Sequence, residues 1–135
     1  MSLENLNFLI VDDDSQLINK LEIDLRSLGF SGDITQAVNG EDAYNKYKEL
    51  IANSKTIDFV ICDVVMPVCD GIGFLEKFRG ELDPKKKIPF LLLTSRNDKN
   101  IVLQAIKLGV TQYLLKPWNE QVLIQKIVEC VGKHK

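Results

Sequence analysis

Five short apolar segments alternate along the chain with longer segments of helical period, and this alternation limits the possible folds more than any other feature. The apolar segments are 8–11, 34–38, 59–62, 90–93 and 112–115, and the helical segments are 15–28, 41–52, 72–79, 99–108 and 119–131. This pattern predicts an α/β fold with a parallel sheet flanked by helices. Segment 34–38 alternates between apolar and polar residues, so we expect it at an edge of the sheet.

Local signals predict how the helical segments begin, end and pack. Gly29 is expected to end the first helix, Asn39-Gly40 to form a turn before the second, and Gly80 and Pro84 to end the third unit. The first helix is expected to bury one apolar face. The predicted face consists of Leu17, Ile18, Leu21, Ile23, Leu25 and Leu28.

Composition favours one domain with one core, because the chain has 135 residues, of which 45% are hydrophobic and 27% charged. A formal charge of -2 offers no broad basic surface, which argues against direct nucleic-acid binding. No apolar run approaches the roughly 20 residues of a membrane helix, and a signal peptide is not evident, so we expect a cytoplasmic protein without membrane association. Cys62, Cys69 and Cys130 lack the spacing of a zinc site.

Four of the apolar segments end at polar residues of different chemical kinds. These are Asp12-Asp13, Asp63, Thr94-Ser95 and Lys116. The carboxyl ends of parallel strands share one edge of a sheet, where open α/β proteins bind ligands. We therefore expect these residues to form one site that could bind a metal and a phosphoryl group.

Clustered carboxylates repel one another unless protons or a cation neutralise them, and Mg²⁺ prefers oxygen ligands. Asp13 and Asp63 are candidate direct ligands, and Asp12 is expected to act partly through water. The alternative is that the acidic triplet only caps the first helix, which Asp14 alone could do. Asp63 is also a candidate nucleophile toward a phosphoryl group. Lys116 could neutralise the phosphoryl oxygens, and the Thr94 hydroxyl could hydrogen-bond to one of them.

The sequence closely resembles the receiver domains of two-component response regulators, including the single-domain chemotaxis type. The resemblance rests on LIVDDD at 9–14, CDVVMPVCDG at 62–71, LLTS at 92–95 and LKPW at 115–118. It implies a doubly wound, flavodoxin-like sheet of five parallel strands in the order 2-1-3-4-5, with five helices. It extends over essentially the whole chain, as a single receiver domain over 1–135 with its core at about 6–132.

The resemblance also implies roles for individual residues. Asp63 would accept a phosphoryl group from a phosphohistidine on a sensor histidine kinase or phosphotransfer protein. Asp12 and Asp13 would hold Mg²⁺, with the carbonyl of Val65 completing the metal site. Lys116 would pair with the phosphoryl group, and its bond to Pro117 is expected to be cis.

The family further implies a conformational switch. Thr94 would move toward the phosphoryl group, and the ring of Tyr113 would turn inward as it does so. The face formed by residues 99–131 would then change its affinity for a downstream effector protein or domain. Many family members also form homodimers through this face. Val65 and Arg96 lie at positions that tune phosphoryl lifetime in the family, and here they predict comparatively slow self-hydrolysis.

Two other classes of protein remain as alternatives. A phosphatase resembling the haloacid dehalogenase family would use similar residues, but it requires a second aspartate at the position of Val65. An interaction module that works without phosphorylation would be favoured if the acids, the threonine or the lysine were missing, and all are present. P-loop and dinucleotide-binding proteins are disfavoured because neither glycine motif occurs.

Overall fold

A computed structural model of the protein describes residues 3–64, 70–95 and 99–133. In these ranges five strands alternate with five α-helices. The strands are β1 (Phe8–Val11), β2 (Ile34–Ala37), β3 (Phe59–Asp63), β4 (Phe90–Thr94) and β5 (Gln112–Leu115). The helices are α1 (Ser15–Ser27), α2 (Gly40–Ala52), α3 (Gly71–Lys77), α4 (Lys99–Lys107) and α5 (Glu120–Gly132). None of the helices in these ranges combines the length and apolar character needed to cross a membrane.

The strands form one parallel sheet in the order β2-β1-β3-β4-β5. This confirms the predicted parallel sheet, the strand order and the edge position of β2. Every residue of the three inner strands is buried, whereas three of the four β2 residues keep some solvent exposure. The alternating sequence of β2 therefore matches its position at the edge.

Helices cover both faces of the sheet, because successive side chains of each strand point to opposite sides. On one face, Phe8, Ile10 and Ile61 belong to an apolar cluster with residues of α1 and α5. On the other face, Leu9 and Val60 belong to a cluster with residues of α2, α3 and α4. The strands are thus apolar throughout because both of their faces lie in a core.

Polar side chains begin four of the helices. Asp14, Asn39, Asp70 and Asn119 each accept hydrogen bonds from backbone N–H groups in the first turn of α1, α2, α3 and α5. The expected turn at Asn39-Gly40 is instead a helix start, with Asn39 as the cap and Gly40 as the first residue of α2. Gly29 has a φ of +97° and follows the end of α1, as predicted.

Two details of the helices differ from the prediction. Ile23 was expected on the buried face of α1, but it is 66% exposed, whereas the neighbouring Asp24 is only 7% exposed. Gly80 does not end the third helical unit, because α3 continues into a π-helical turn over Phe78–Leu82. Neither the buried acid nor the π turn has a local sequence signal.

Arg79 lies in this π turn and joins three parts of the fold at the amino-terminal edge of the sheet. Its guanidinium donates to Asp83 at 2.6 Å, to the Ile88 carbonyl at 2.7 Å and to the Gly109 carbonyl at 3.0 Å. Asp83 in turn accepts from the backbone N–H groups of Lys87 and Ile88. Both side chains of the ion pair are buried, and each neutralises the charge of its partner. Either charge would be unfavourable if it were buried alone.

We expect Arg79→Met to lower the free energy of unfolding by about 3 kcal/mol, because it leaves the Asp83 carboxylate buried without its cation. Urea denaturation followed by circular dichroism would measure the change. The matched control is Lys46→Met, which breaks the more exposed 3.3 Å pair with Asp42 on α2. That control should cost less than about 1 kcal/mol. Equal losses in the two variants would contradict the prediction.

Candidate functional site

The register of the strands brings the predicted site residues to one edge of the sheet. Val11 pairs with Cys62, so Asp12 and Asp63 follow side by side at the ends of β1 and β3. Thr94 pairs with Leu115, so Lys116 follows directly beyond that pair. The separate strand-end motifs of the sequence therefore meet at the carboxyl edge, as predicted.

Three acids at this edge form a compact cluster. Carboxylate oxygens of Asp12, Asp13 and Asp63 all lie within 4.8 Å of one another. Asp12 and Asp63 are buried, whereas Asp13 is exposed. Asp14 instead caps α1 through bonds from the N–H groups of Gln16 and Leu17, so the cap does not require the other two acids of the triplet.

The Asp12 carboxylate has one oxygen that the fold does not satisfy. Its Oδ1 accepts the N–H of Asp14 at 2.8 Å. Its Oδ2 is buried and has no hydrogen-bond partner among the described residues. The ammonium of Lys116 is 3.9 Å from this oxygen. An unsatisfied buried oxygen beside two further carboxylates fits a hard divalent cation, which prefers oxygen ligands.

Burial and mutual repulsion make the ionised cluster unfavourable. Burial, reinforced by the charges of Asp63 and Asp13, raises the pKa of Asp12 from 3.8 to about 6, against the lowering effects of the Asp14 N–H and Lys116. Burial also raises the pKa of Asp63, although the hydrogen bond and charge of Lys116 oppose this shift. A bound cation would relieve the cost of keeping these groups charged.

Lys116 provides a positive charge in direct contact with the candidate nucleophile. Its ammonium donates to Asp63 Oδ1 at 2.5 Å, and its side chain is 29% exposed. Its backbone N–H donates to the Thr94 carbonyl at 2.9 Å, which fixes it beside β4. The bond from Lys116 to Pro117 is cis, as expected. The ammonium could therefore stabilise a negatively charged group bound to Asp63.

Thr94 and Tyr113 occupy neighbouring strands. Thr94 is 1% exposed, and its hydroxyl lies 3.3 Å from the Ser95 carbonyl, to which it donates. Tyr113 is half-buried, with the Lys126 ammonium 5.5 Å from the centre of its ring. Tyr113 also borders a groove of about 760 Å³. The other lining residues are Ser95, Lys99, Val102, Leu103, Ile106 and Leu115.

Three positions named in the sequence analysis lie outside the described residues. They are Val65, Arg96 and Cys69. The expected carbonyl ligand and the two positions expected to tune phosphoryl lifetime therefore remain predictions.

Sequence reasoning missed the close contact that Gly71 makes with the site. A Cβ at Gly71 would lie 2.2 Å from the Asp63 carbonyl oxygen and 2.8 Å from the Val64 Cα. The Gly71 N–H also donates to the Val64 carbonyl at 2.8 Å. Only glycine lets α3 begin this close to the end of β3. In the sequence, Gly71 directly precedes the predicted helical segment 72–79, and this position alone does not indicate the close approach.

Comparisons with known proteins agree with this geometry. A sequence model of the response regulator receiver domain matches residues 8–128. The chain is 33% identical to the chemotaxis protein CheY1 of Helicobacter pylori over 127 residues, which cover 94% of this chain and 98% of that protein.

Solved structures show the same fold. A putative response regulator from Chloroflexus aurantiacus has a TM-score of 0.80 and 30% identity, covering 95% of this chain and 98% of the other. The structure of a CheX-CheY-BeF3-Mg²⁺ complex from Borrelia burgdorferi has a TM-score of 0.78 and 29% identity, covering 91% and 87%. Receiver domains are phosphoacceptor regulators rather than enzymes in the usual sense. With the strand order and the site of a receiver, the chain belongs to the response regulator receiver domain family and resembles its chemotaxis members.

Proposed function

We propose that this protein is a phosphorylation-activated switch of a two-component system, in which Asp63 accepts a phosphoryl group in a Mg²⁺-dependent reaction. The donor would be a phosphohistidine on a sensor histidine kinase or a phosphotransfer protein. The observation that carries the proposal is the position of the Asp63 carboxylate, which lies close to two other carboxylates and in contact with the Lys116 ammonium. This arrangement combines a nucleophile, a cation site and a fixed positive charge.

The chemistry follows from these groups. A carboxylate oxygen of Asp63 would attack the phosphorus atom, and the phosphorus–nitrogen bond of the donor would break, leaving its electron pair on the imidazole. Lys116 would stabilise the charge on the phosphoryl oxygens, and Thr94 would donate a hydrogen bond to one of them. Asp12, Asp13 and Asp63 would hold Mg²⁺, together with the Val65 carbonyl. Bound Mg²⁺ would neutralise charge between the carboxylates and the phosphoryl oxygens.

The Borrelia burgdorferi structure supports the proposed cation and contains a CheY protein in complex with another protein. In that structure a CheY protein is in complex with CheX, BeF3 and Mg²⁺. BeF3 bound to a carboxylate resembles a phosphoryl group in shape and charge. The acidic cluster here, with its unsatisfied Asp12 oxygen, has the ligand chemistry that Mg²⁺ requires.

The output would be a change in the face formed by residues 99–131. Phosphorylation adds about -1.5 to -2 charge and three strong acceptors at the site. Thr94 would move toward these acceptors and Tyr113 would turn inward, changing the groove that Tyr113 borders. Leu103 and Ile106 are 59% and 57% exposed beside that groove, which suits an apolar contact with an effector or with a second copy of the chain. The proposal also includes that residues 1–135 form one domain and that the protein is cytoplasmic.

Intact mass spectrometry after incubation with Mg²⁺ and acetyl phosphate tests the central step. We expect one added phosphoryl group on the wild type, because Asp63 is the buried nucleophile beside Lys116. The adduct should be absent in Asp63→Asn and in wild type treated with a metal chelator.

The matched control is Asp70→Asn, which changes another acid near the edge and should keep the adduct. A folded wild type that forms no adduct, even at times too short for hydrolysis, would favour a phosphorylation-independent module. Sustained hydrolysis of a phosphomonoester would instead favour the phosphatase.

The cation site predicts a pH-dependent effect of Asp12→Asn. The folded-state pKa of Asp12 is raised from 3.8 to about 6, so its ionisation opposes folding at pH values above this range and has no such effect below it. Without divalent cations, Asp12→Asn should therefore raise the free energy of unfolding at pH 7 by up to about 3 kcal/mol. The gain should shrink toward zero near pH 4, and urea denaturation at both pH values would measure it.

Adding Mg²⁺ at pH 7 should make the wild type more stable than Asp12→Asn, because a ligand that binds only the folded state stabilises that state. Wild type should gain stability with Mg²⁺ at pH 7, and Asp12→Asn should gain much less. Equal Mg²⁺ stabilisation of both proteins would contradict a role for Asp12 in holding the cation.

The switch predicts that a phosphoryl mimic alters the distant face. Backbone amide spectra with BeF3⁻ and Mg²⁺ should show shifts for residues of α4, for Tyr113 and for α5, beyond those caused by Mg²⁺ alone. The control is Thr94→Ala, which should keep the shifts next to Asp63 and lose most of those on this face. Identical amide spectra of the face with and without the mimic would exclude the switch.

A further inference from the structure

Asp24 is an acid on the core-facing side of α1. It is 7% exposed and lies between the completely buried residues Leu21 and Leu25 along the helix. A carboxylate in such a place needs hydrogen-bond donors to offset the loss of water. Its Oδ2 accepts two bonds, one from the Lys20 ammonium at 2.8 Å and one from the Trp118 indole at 2.9 Å. The predicted role in the receiver reaction uses none of these three residues.

The second bond joins α1 to the connection between β5 and α5, across 94 residues of sequence. Trp118 is 8% exposed and belongs to the apolar cluster that α1 and α5 share. An indole has a single N–H donor and no acceptor, so Asp24 satisfies its whole hydrogen-bonding capacity. The Lys20 ammonium also lies 4.9 Å from the centre of the Trp118 ring. The indole therefore has a defined orientation as well as a buried position.

Trp118 lies two residues after Lys116, and the segment between them is fixed at both ends. On one side the Lys116 N–H donates to the Thr94 carbonyl at 2.9 Å. On the other side the Trp118 indole is bonded to Asp24, and Asn119 then caps α5 through a 2.8 Å bond from the Val122 N–H. The Lys116 ammonium must reach Asp63 from this short segment, so a shift of Trp118 would move the starting point of the lysine side chain.

We infer that Asp24 is a positioning residue for the site: through the Trp118 indole it holds the segment from which Lys116 reaches Asp63. The inference rests on the proposed function only for the rate of phosphoryl adduct formation; the position of the Lys116 ammonium can be measured without it. A merely structural Asp24 would change the stability of the fold and leave the position of the Lys116 ammonium unaltered. The two roles therefore predict different results.

The test compares Asp24→Leu, which removes the acceptor, with Asp24→Asn, which retains an oxygen acceptor. The matched control is Asp42→Asn on α2, because Asp42 forms a similar pair with Lys46, at 3.3 Å. One measurement is the ¹H–¹⁵N signal of the Lys116 side-chain ammonium, assigned with Lys116→Arg. The other is the rate constant for phosphoryl adduct formation from acetyl phosphate with Mg²⁺.

We expect Asp24→Leu to shift the Lys116 ammonium signal and to slow adduct formation by about fivefold or more, since small misplacements of reacting groups reduce rates strongly. Asp24→Asn and Asp42→Asn should both stay within about twofold of the wild-type rate. In a Lys116→Gln background, Asp24→Leu should cause no further slowing, because it acts through the lysine.

Loss of stability in Asp24→Leu with an unchanged ammonium signal and an unchanged rate would overturn the inference. If Asp24→Leu does not fold, Trp118→Phe removes the same hydrogen bond while keeping an aromatic ring, and the same outcomes apply to it. If wild type forms no adduct, the proposed function fails, but the ammonium signal still decides whether Asp24 positions Lys116.

Discussion

The parallel register of β1, β3, β4 and β5 fixes the charge balance of the site. It brings Asp12 and Asp63 into a cluster with the exposed Asp13, while Lys116 reaches the same edge from β5. Burial at this edge, with a smaller contribution from the neighbouring acids, raises the pKa values of both Asp12 and Asp63. Carboxylates held together in this way could be neutralised by a bound cation, as proposed above.

The apolar layers on the two faces of the sheet make this unfavourable edge possible. Each inner strand has core side chains on both of its sides, so the strand ends keep their positions despite the repulsion between the acids. The Arg79 ion pair closes the opposite edge, where it bonds to the carbonyls of Ile88 and Gly109 just before β4 and β5. The buried ion pair and the candidate site therefore lie at opposite ends of the same strands.

Much of this arrangement could be predicted from local sequence patterns. Apolar runs located the strands to within a residue or two, and the polar residue at the end of each run identified Asp12, Asp63, Thr94 and Lys116 as neighbours. The chemistry of these side chains predicted a site for a metal and a phosphoryl group, and the resemblance to receiver domains added the phosphohistidine donor and the switch. The helix caps were also local, since each depends on a side chain within three residues of the N–H group that it binds.

The features that were missed depend on partners distant in sequence or on close backbone approach. Ile23 was placed in the core instead of Asp24 because one of the two donors that make this buried acid acceptable, the Trp118 indole, is distant in sequence. Likewise, Gly71 is required by the backbone of Asp63 and Val64, which a pattern of residue types does not reveal. The π turn that carries Arg79 follows from its bonds to the loops before β4 and β5.

The bond between Trp118 and Asp24 also has a practical consequence, because the chain contains one tryptophan. All of the tryptophan fluorescence of the unlabelled protein originates from this buried junction, two residues from Lys116. The emission intensity and wavelength of an indole respond to nearby charge and to hydration. The protein therefore carries an intrinsic optical probe two residues from Lys116, which can report changes at this junction in real time.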